Sequence, residues 1–433
     1  MDATYLLNSC WVLVASALVF MMQAGFACCE SGFSRGKNAC NIWLKNLCDF
    51  CVGAIVYYFI GFGIMYGKDF HGLFGISGFF NPLGQDLPVW ETCKAINVSP
   101  HIYLLFQTMF CATTATIISG SVAERFRFDT YLIVSAVMTG LVYPVIGHWV
   151  WGGGWLGNIG FVDFAGSGAV HMVGGFAAFV CAALVGPRMG KYDGSENVHA
   201  IPGHNIPMAM LGGFILWAGW YGFNPGSELA FDETTIYTTI TTTMAGAAGG
   251  IAGLLCTWIK YKMPDPTLAM NGALAGLVAS CSAINEFTVV GSVIVGLICG
   301  TFLPFSVEFF DKKLHVDDPA GAISLHGTNG VIGVILAGLL AKDSGLFYGH
   351  GASRLLAHLA GLGAIAVWVI GSVFIIGLIL KLLFKEIKYL VKEEAQNKVD
   401  HCNNQVTFKI LIVVTSDCLG SHKEFLYCYY IKY

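Results

Sequence analysis

Charge is scarce in this chain: 23 Lys and Arg and 27 Asp and Glu make up only 12% of 433 residues. So small a share, beside 55% hydrophobic residues and a mean hydropathy of +0.66, excludes a soluble domain of this length. There is no basic run, and a net charge of −4 offers no footprint for nucleic acid. The 15 cysteines are scattered, and the one C-x-x-C, Cys48 to Cys51, has no second copy to pair with, so neither a metal site nor a disulfide framework is expected and no cofactor is called for. Most of them read as small buried hydrophobes. Polar stretches are too short for a large extramembrane domain. No basic residue precedes the first apolar run, which argues against a cleaved signal peptide and keeps that run as a helix.

What is present is one long apolar run after another. At about 20 residues per crossing, spans are predicted over about 6–29, 47–66, 101–122, 130–150, 165–185, 207–224, 235–258, 268–284, 288–309, 319–341 and 354–384. The expected fold is an all-α polytopic membrane protein with eleven transmembrane helices. The 54 glycines predict tight packing, because small residues let membrane helices approach where apolar surface alone gives no driving force. Arg35, Lys37, Arg125, Arg127, Arg188, Lys191, Lys260, Lys262, Lys312 and Lys313 fall on one set of connectors. The other set holds only Lys68, Lys94 and Lys342, with Arg354 at a helix start. That asymmetry predicts an outside N-terminus and a cytoplasmic C-terminus, in agreement with an odd number of spans. The polar stretch 67–99 reads as an outer loop; its sequon at Asn97 is followed by Pro100, which disfavours glycosylation.

Five spans precede the connector at 186–206 and five follow it, so the halves must run through the membrane in opposite senses. A repeated motif matches that division. Residues 163–171 read DFAGSGAVH and residues 318–326 read DPAGAISLH; both fit D-x-A-G-x-x-x-x-H, with copies 155 residues apart. Asp163 and Asp318 are expected to cap free N–H groups, and each His to sit about two turns into its helix. The pattern is that of an inverted 5+5 repeat with a site near the bilayer midplane, plus one bracing helix. A lone His in a span is ordinarily satisfied by a carbonyl; two at matched positions, His171 and His326, point to a shared site. Burial disfavours charge on such a pair, and sharing one proton it offers a donor and an acceptor to a guest the size of water or ammonia.

The ordered segments MQAGFACCESG, FQTMFCATTATIISGSVAERFRF, HWVWGGGW, DFAGSGAVHMVGGFAAFVCAALVGPR, GWYGFNPGS and VDDPAGAISLHG resemble those of the ammonium transporter (Amt/Rh) family, on its Amt side. The likeness covers about residues 8–384. It implies a homotrimer in the plasma membrane, each protomer with its own narrow pore for ammonium or ammonia, with methylammonium as a further substrate. His171 and His326 are similar to the family's paired pore histidines, and Phe110 and Phe223 to its stacked phenyl gate. Trp151, Phe110 and Ser227 resemble its outer recruitment site, with Asp163 below it. Capping ranks first for both aspartates on the residues alone. Glu30, His148, Trp220, His199 and His204 carry no site reading, and Cys281 stands at a pore-adjacent position where relatives carry a polar residue.

Two regions are expected: a transmembrane domain over 1–384 and a cytoplasmic tail over 385–433. That tail lacks the family's GLD-x-x-EHG pattern, which leaves open its coupling to a cytoplasmic regulatory protein. The alternative to a transporter is an ammonium sensor signalling through this tail. A CO2 channel fits poorly with Trp151 and Ser227, and an intramembrane hydrolase lacks a Ser or Cys nucleophile beside either His.

Overall fold

Apolar segments cannot satisfy their backbone groups from lipid, so a chain of this composition must close its hydrogen bonds within helices. The computed structural model describes residues 2–192, 198–384 and Ile387. Its long elements are α1 (Ala3–Phe33), α2 (Gly36–Tyr66), α3 (Pro100–Ser121), α4 (Phe128–Asn158), α5 (Ser167–Val185) and α6 (Ile206–Glu228). They continue as α7 (Glu233–Tyr261), α8 (Pro266–Ser280), α9 (Val289–Lys313), α10 (Ile323–Leu340) and α11 (Ser353–Phe384). Ten of these are long and apolar enough to cross a membrane. The span expected over 268–284 is α8, a helix of 15 residues followed by turns. At 1.5 Å per residue it covers about 22 Å, short of the roughly 30 Å hydrocarbon core. The tail expected over 385–433 lies outside the described residues, Ile387 apart.

Start signals in the sequence act as caps. Asp265 accepts from the N–H groups of Thr267 and Leu268 at 2.8 and 3.2 Å, with Pro266 at the first helical position, and Asp232 does the same for Thr235 at the start of α7. Small residues set the packing. A methyl group on Gly212 of α6 would stand 2.5 Å from the Cys29 nitrogen of α1, and one on Gly300 of α9 would overlap the Gly249 carbonyl of α7. Only glycine lets these helices approach so closely. The most apolar window of α3 is 89% buried, whereas that of α11 is 28% buried, so α3 runs through the middle and α11 lies at the periphery against α5 and α10.

The two halves meet with matching geometry. The first turn of α5, carrying His171, packs on α10; the first turn of α10, carrying His326, packs on α5. A methyl group on Gly175 would collide with the backbone of Gly327, and one on Gly330 would stand 2.9 Å from the nitrogen of Met172. Gly175 and Gly330 share the histidines' 155-residue offset, as do Met172 and Gly327. The inverted repeat is thus written into main-chain contacts.

The connectors read as basic are not all solvated. Arg188 is buried and bonds Asp317 through Nε at 2.8 Å and Glu124 through Nη1 at 2.9 Å, while Arg125 donates to the Gly186 and Asp317 carbonyls. Burial raises the Asp317 carboxyl, but the Arg188 guanidinium outweighs it and holds the group below its ordinary value. Glu124 also accepts from Arg35, so this network ties connectors of both halves together. The stretch 67–99 is more ordered than a plain loop. It carries a hairpin, Asp69–Phe70 with Phe74–Gly75, and a helix, Pro88–Ala95.

Candidate functional site

Asp163 organises one end of the site. Its Oδ1 accepts from the backbone N–H of Gly166 and Ser167 at 3.1 and 2.9 Å, and its Oδ2 from Gly168 and Ala169, both at 2.8 Å. Four otherwise orphaned donors at the start of α5 are thereby satisfied. The turn requires Gly166, which has φ = +100°. Burial pushes the Asp163 carboxyl up to about 6, while the four N–H groups act in the opposite direction. Its main-chain oxygen accepts from Trp151 Nε1 at 2.8 Å, which fixes the indole plane. Asp318 does less capping: Oδ2 accepts from Ile323 at 2.7 Å, and Oδ1 is buried with no partner among the described residues.

Both helices start later than the sequence suggests, with wide π-type turns at Ser167–Met172 and Ile323–Thr328. The histidines therefore fall fifth and fourth in their helices, not two turns in. His171 Nδ1 and His326 Nδ1 face each other at 3.2 Å, with ring planes 20° apart. At that distance one nitrogen donates and the other accepts, so the pair shares a proton along the line joining them. His171 is fully buried and stacks on Trp220 and Phe223, with centroids 5.4 and 5.2 Å away. Its Nε2 lies 3.5 Å from Cys281 Sγ, which in turn accepts from Trp220 Nε1 at 3.3 Å.

The file continues beyond Phe223. Phe110 and Phe223 stack at 4.1 Å with planes 19° apart, leaving no gap between the rings. Trp151 stands edge-on to Phe110 at 6.5 Å. Ser227, half-buried like Trp151, donates its Oγ hydrogen to the Phe223 carbonyl at 2.7 Å, which leaves its lone pairs as acceptors. On the opposite side, His326 tilts toward Phe26 at 6.0 Å and borders a cavity of about 30 Å³ that none of His171, Phe110 or Phe223 lines.

His326, His171, Phe223, Phe110 and Trp151 thus follow one another in a row, with Asp163 bonded to Trp151, Ser227 bonded to the Phe223 carbonyl, and Asp318 capping the helix that carries His326. Three neighbours of the histidines were missed. Trp220 lies three residues before Phe223, on the same helix face, and that spacing could have marked it. Cys281 was noticed only as a departure. Glu30 was set aside at the end of a span, although it is buried and lines the cavity beside His326. His148 is buried too, bonded to the Met65 carbonyl and to Asp69 at 2.9 Å each, which makes it a strut for the 67–99 stretch.

Apolar helices enclosing one row of aromatic and imidazole rings define a polytopic membrane protein with a buried histidine pair at its centre. Residues 10–405 match the Ammonium Transporter Family. The chain is 40% identical over 397 residues to the ammonium transporter Amt2 of Archaeoglobus fulgidus, covering 86% of this chain and 82% of the relative. It is 35% identical over 404 residues to ammonium transporter 1 member 3 of Solanum lycopersicum, covering 84% and 85%. Its fold superposes on a solved sensor Amt protein with a TM-score of 0.85 at 36% identity, covering 90% and 97%. Against Mep2 of Candida albicans the TM-score is 0.82 at 29% identity, covering 90% and 87%. The chain belongs to the ammonium transporter family.

Proposed function

We propose that the protein carries ammonium across its membrane, recruiting the cation at one end of the file and conducting ammonia past the histidines. The observation that carries this reading is the 3.2 Å contact between two buried imidazoles directly behind a closed pair of phenyl rings. An ion stripped of water in so dry a passage meets a prohibitive desolvation cost, whereas neutral ammonia does not. Trp151, Phe110 and the Ser227 hydroxyl suit the approaching cation, with cation–π attraction of roughly 0.5–2 kcal/mol as water is excluded. Asp163 lends negative charge beneath that end. The cation gives up its proton there to water of the adjoining solvent, and ammonia slips between Phe110 and Phe223 when the rings part. It then exchanges hydrogen bonds with His171 and His326, which offer one donor and one acceptor along the line of travel.

This reading extends to placement and assembly. The protein acts as a homotrimer in the plasma membrane, with the Trp151 end and the N-terminus outside and the C-terminus in the cytoplasm. Residues 1–384 form the conducting domain. Residues 385–433 form a separate tail that meets a cytoplasmic regulatory partner.

Reconstitution into liposomes tests the reading. Ammonium pulses should evoke a current or an internal pH change, and the gene should restore growth on low ammonium to a host lacking its own uptake systems. A protein that binds ammonium but neither moves it nor restores growth would instead be a sensor.

A further inference from the structure

The cavity behind His326 contains a buried acid that the conduction path above does not use. Glu30 is 3% exposed on α1. Its Oε2 accepts from Asn46 Nδ2 at 3.0 Å and from Ser119 Oγ at 2.7 Å, which anchors the carboxylate between α2 and α3. Its Oε1 has no hydrogen-bond partner among the described residues. That oxygen lies toward Gly120, where an added methyl group would sit 3.6 Å from it, and Gly120 lines the cavity together with Glu30, Asn271 and His326. Asn271 spends an amide N–H on the Ala320 carbonyl at 3.3 Å, and its own carbonyl oxygen has no partner among the described residues. The nearby cation, Lys45, attracts Glu30 through space but gives it no hydrogen bond: Nζ donates to the Phe126 carbonyl at 3.1 Å and lies over the Tyr131 ring.

Holding a carboxylate with one oxygen pinned and the other facing an otherwise apolar cavity is costly, and the through-space attraction of Lys45 offsets only part of that cost. The space of about 30 Å³ has room for a guest of two or three heavy atoms, since one water needs about 10–15 Å³. A small cation rich in N–H donors fits both the volume and the acceptors.

We propose that Glu30 and Asn271 form a binding subsite for ammonium or methylammonium on the His326 side of the conduit. The subsite rests on the transport reading above and adds a charged station at the end where the family resemblance supplied none. It loads substrate arriving from that face and holds product before release. Glu30→Gln separates the charge from the scaffold, because the amide carbonyl can still accept from Asn46 and Ser119.

The test is ammonium-evoked current in sided proteoliposomes, with substrate added to either face. In Glu30→Gln the half-saturating ammonium concentration at the His326 face should rise by about tenfold, the loss of one charge-assisted hydrogen bond. At the Trp151 face it should stay within about twofold, with unchanged melting temperature and elution volume. Asn271→Ala should shift the same face in the same direction by about threefold, and it decides the question if Glu30→Gln fails to fold. Equal shifts at both faces, or none, would overturn the subsite while leaving transport intact. A wild-type protein that moves no ammonium would overturn the transport reading and the subsite with it.

Discussion

His171 and His326 occupy equivalent positions in two halves of one repeat, yet their surroundings differ. His171 is enclosed by Trp220, Phe223 and the Cys281 thiol, whereas His326 borders a cavity that holds an acid and an amide. The aspartates diverge in the same sense: Asp163 gathers four backbone donors, and Asp318 leaves one oxygen buried and unpaired. A duplicated scaffold has therefore kept its main-chain geometry while its two ends diverged, one closed in by aromatic rings, the other bordering a mostly apolar cavity that holds one acid and one amide. Inverted repeats make this easy, because the backbone contacts fix the site and the side chains around it are free to differ.

The largest expected effect tests what the halves share. His171→Ala and His326→Ala should each reduce methylammonium uptake by roughly a hundredfold, since either change breaks the proton-sharing line. Wild-type uptake in both would remove the basis of the mechanism. The next test concerns where the halves part. Asp163→Ala should lower unfolding stability by about 4 kcal/mol, having stranded four donors, against about 1–2 kcal/mol for Asp318→Ala. Thermal melts in detergent compare the two, and equal losses would contradict the asymmetry. A third comparison restores the symmetry: Gly175→Ala and Gly330→Ala should each cost about 2–3 kcal/mol, because in both the new methyl meets main chain that cannot move aside. Smallest is Cys281→Ser, which keeps an acceptor for Trp220 and should change uptake by no more than about threefold.

Much of this was legible in the sequence, for reasons that can be named. Helices had to form because lipid offers no other partner for the backbone, so hydropathy alone located ten full-length spans. The Asp/His repeat was visible because two copies kept the same spacing. What the sequence hid depends on partners distant in the chain. The short α8 looked like a full span because the first four turn residues after Ser280, Cys281 to Ile284, are as apolar as the helix before them. The late helix starts that bring His171 and His326 face to face come from π-type turns, which have no compositional mark. Glu30 read as an interfacial residue because only Asn46, Ser119 and the cavity, all brought by other helices, give it a role. Arg125 and Arg188 counted only as markers of sidedness, and the internal bonds on which both are spent join connectors distant in the chain.

Where Gly175 meets Gly327 and Gly330 meets Met172, backbone touches backbone with no side chain between. The separation of the two histidine-bearing helices is consequently fixed by peptide planes and not by the fit of interchangeable groups. Outward-facing positions can drift in size and shape without moving the imidazoles apart or together.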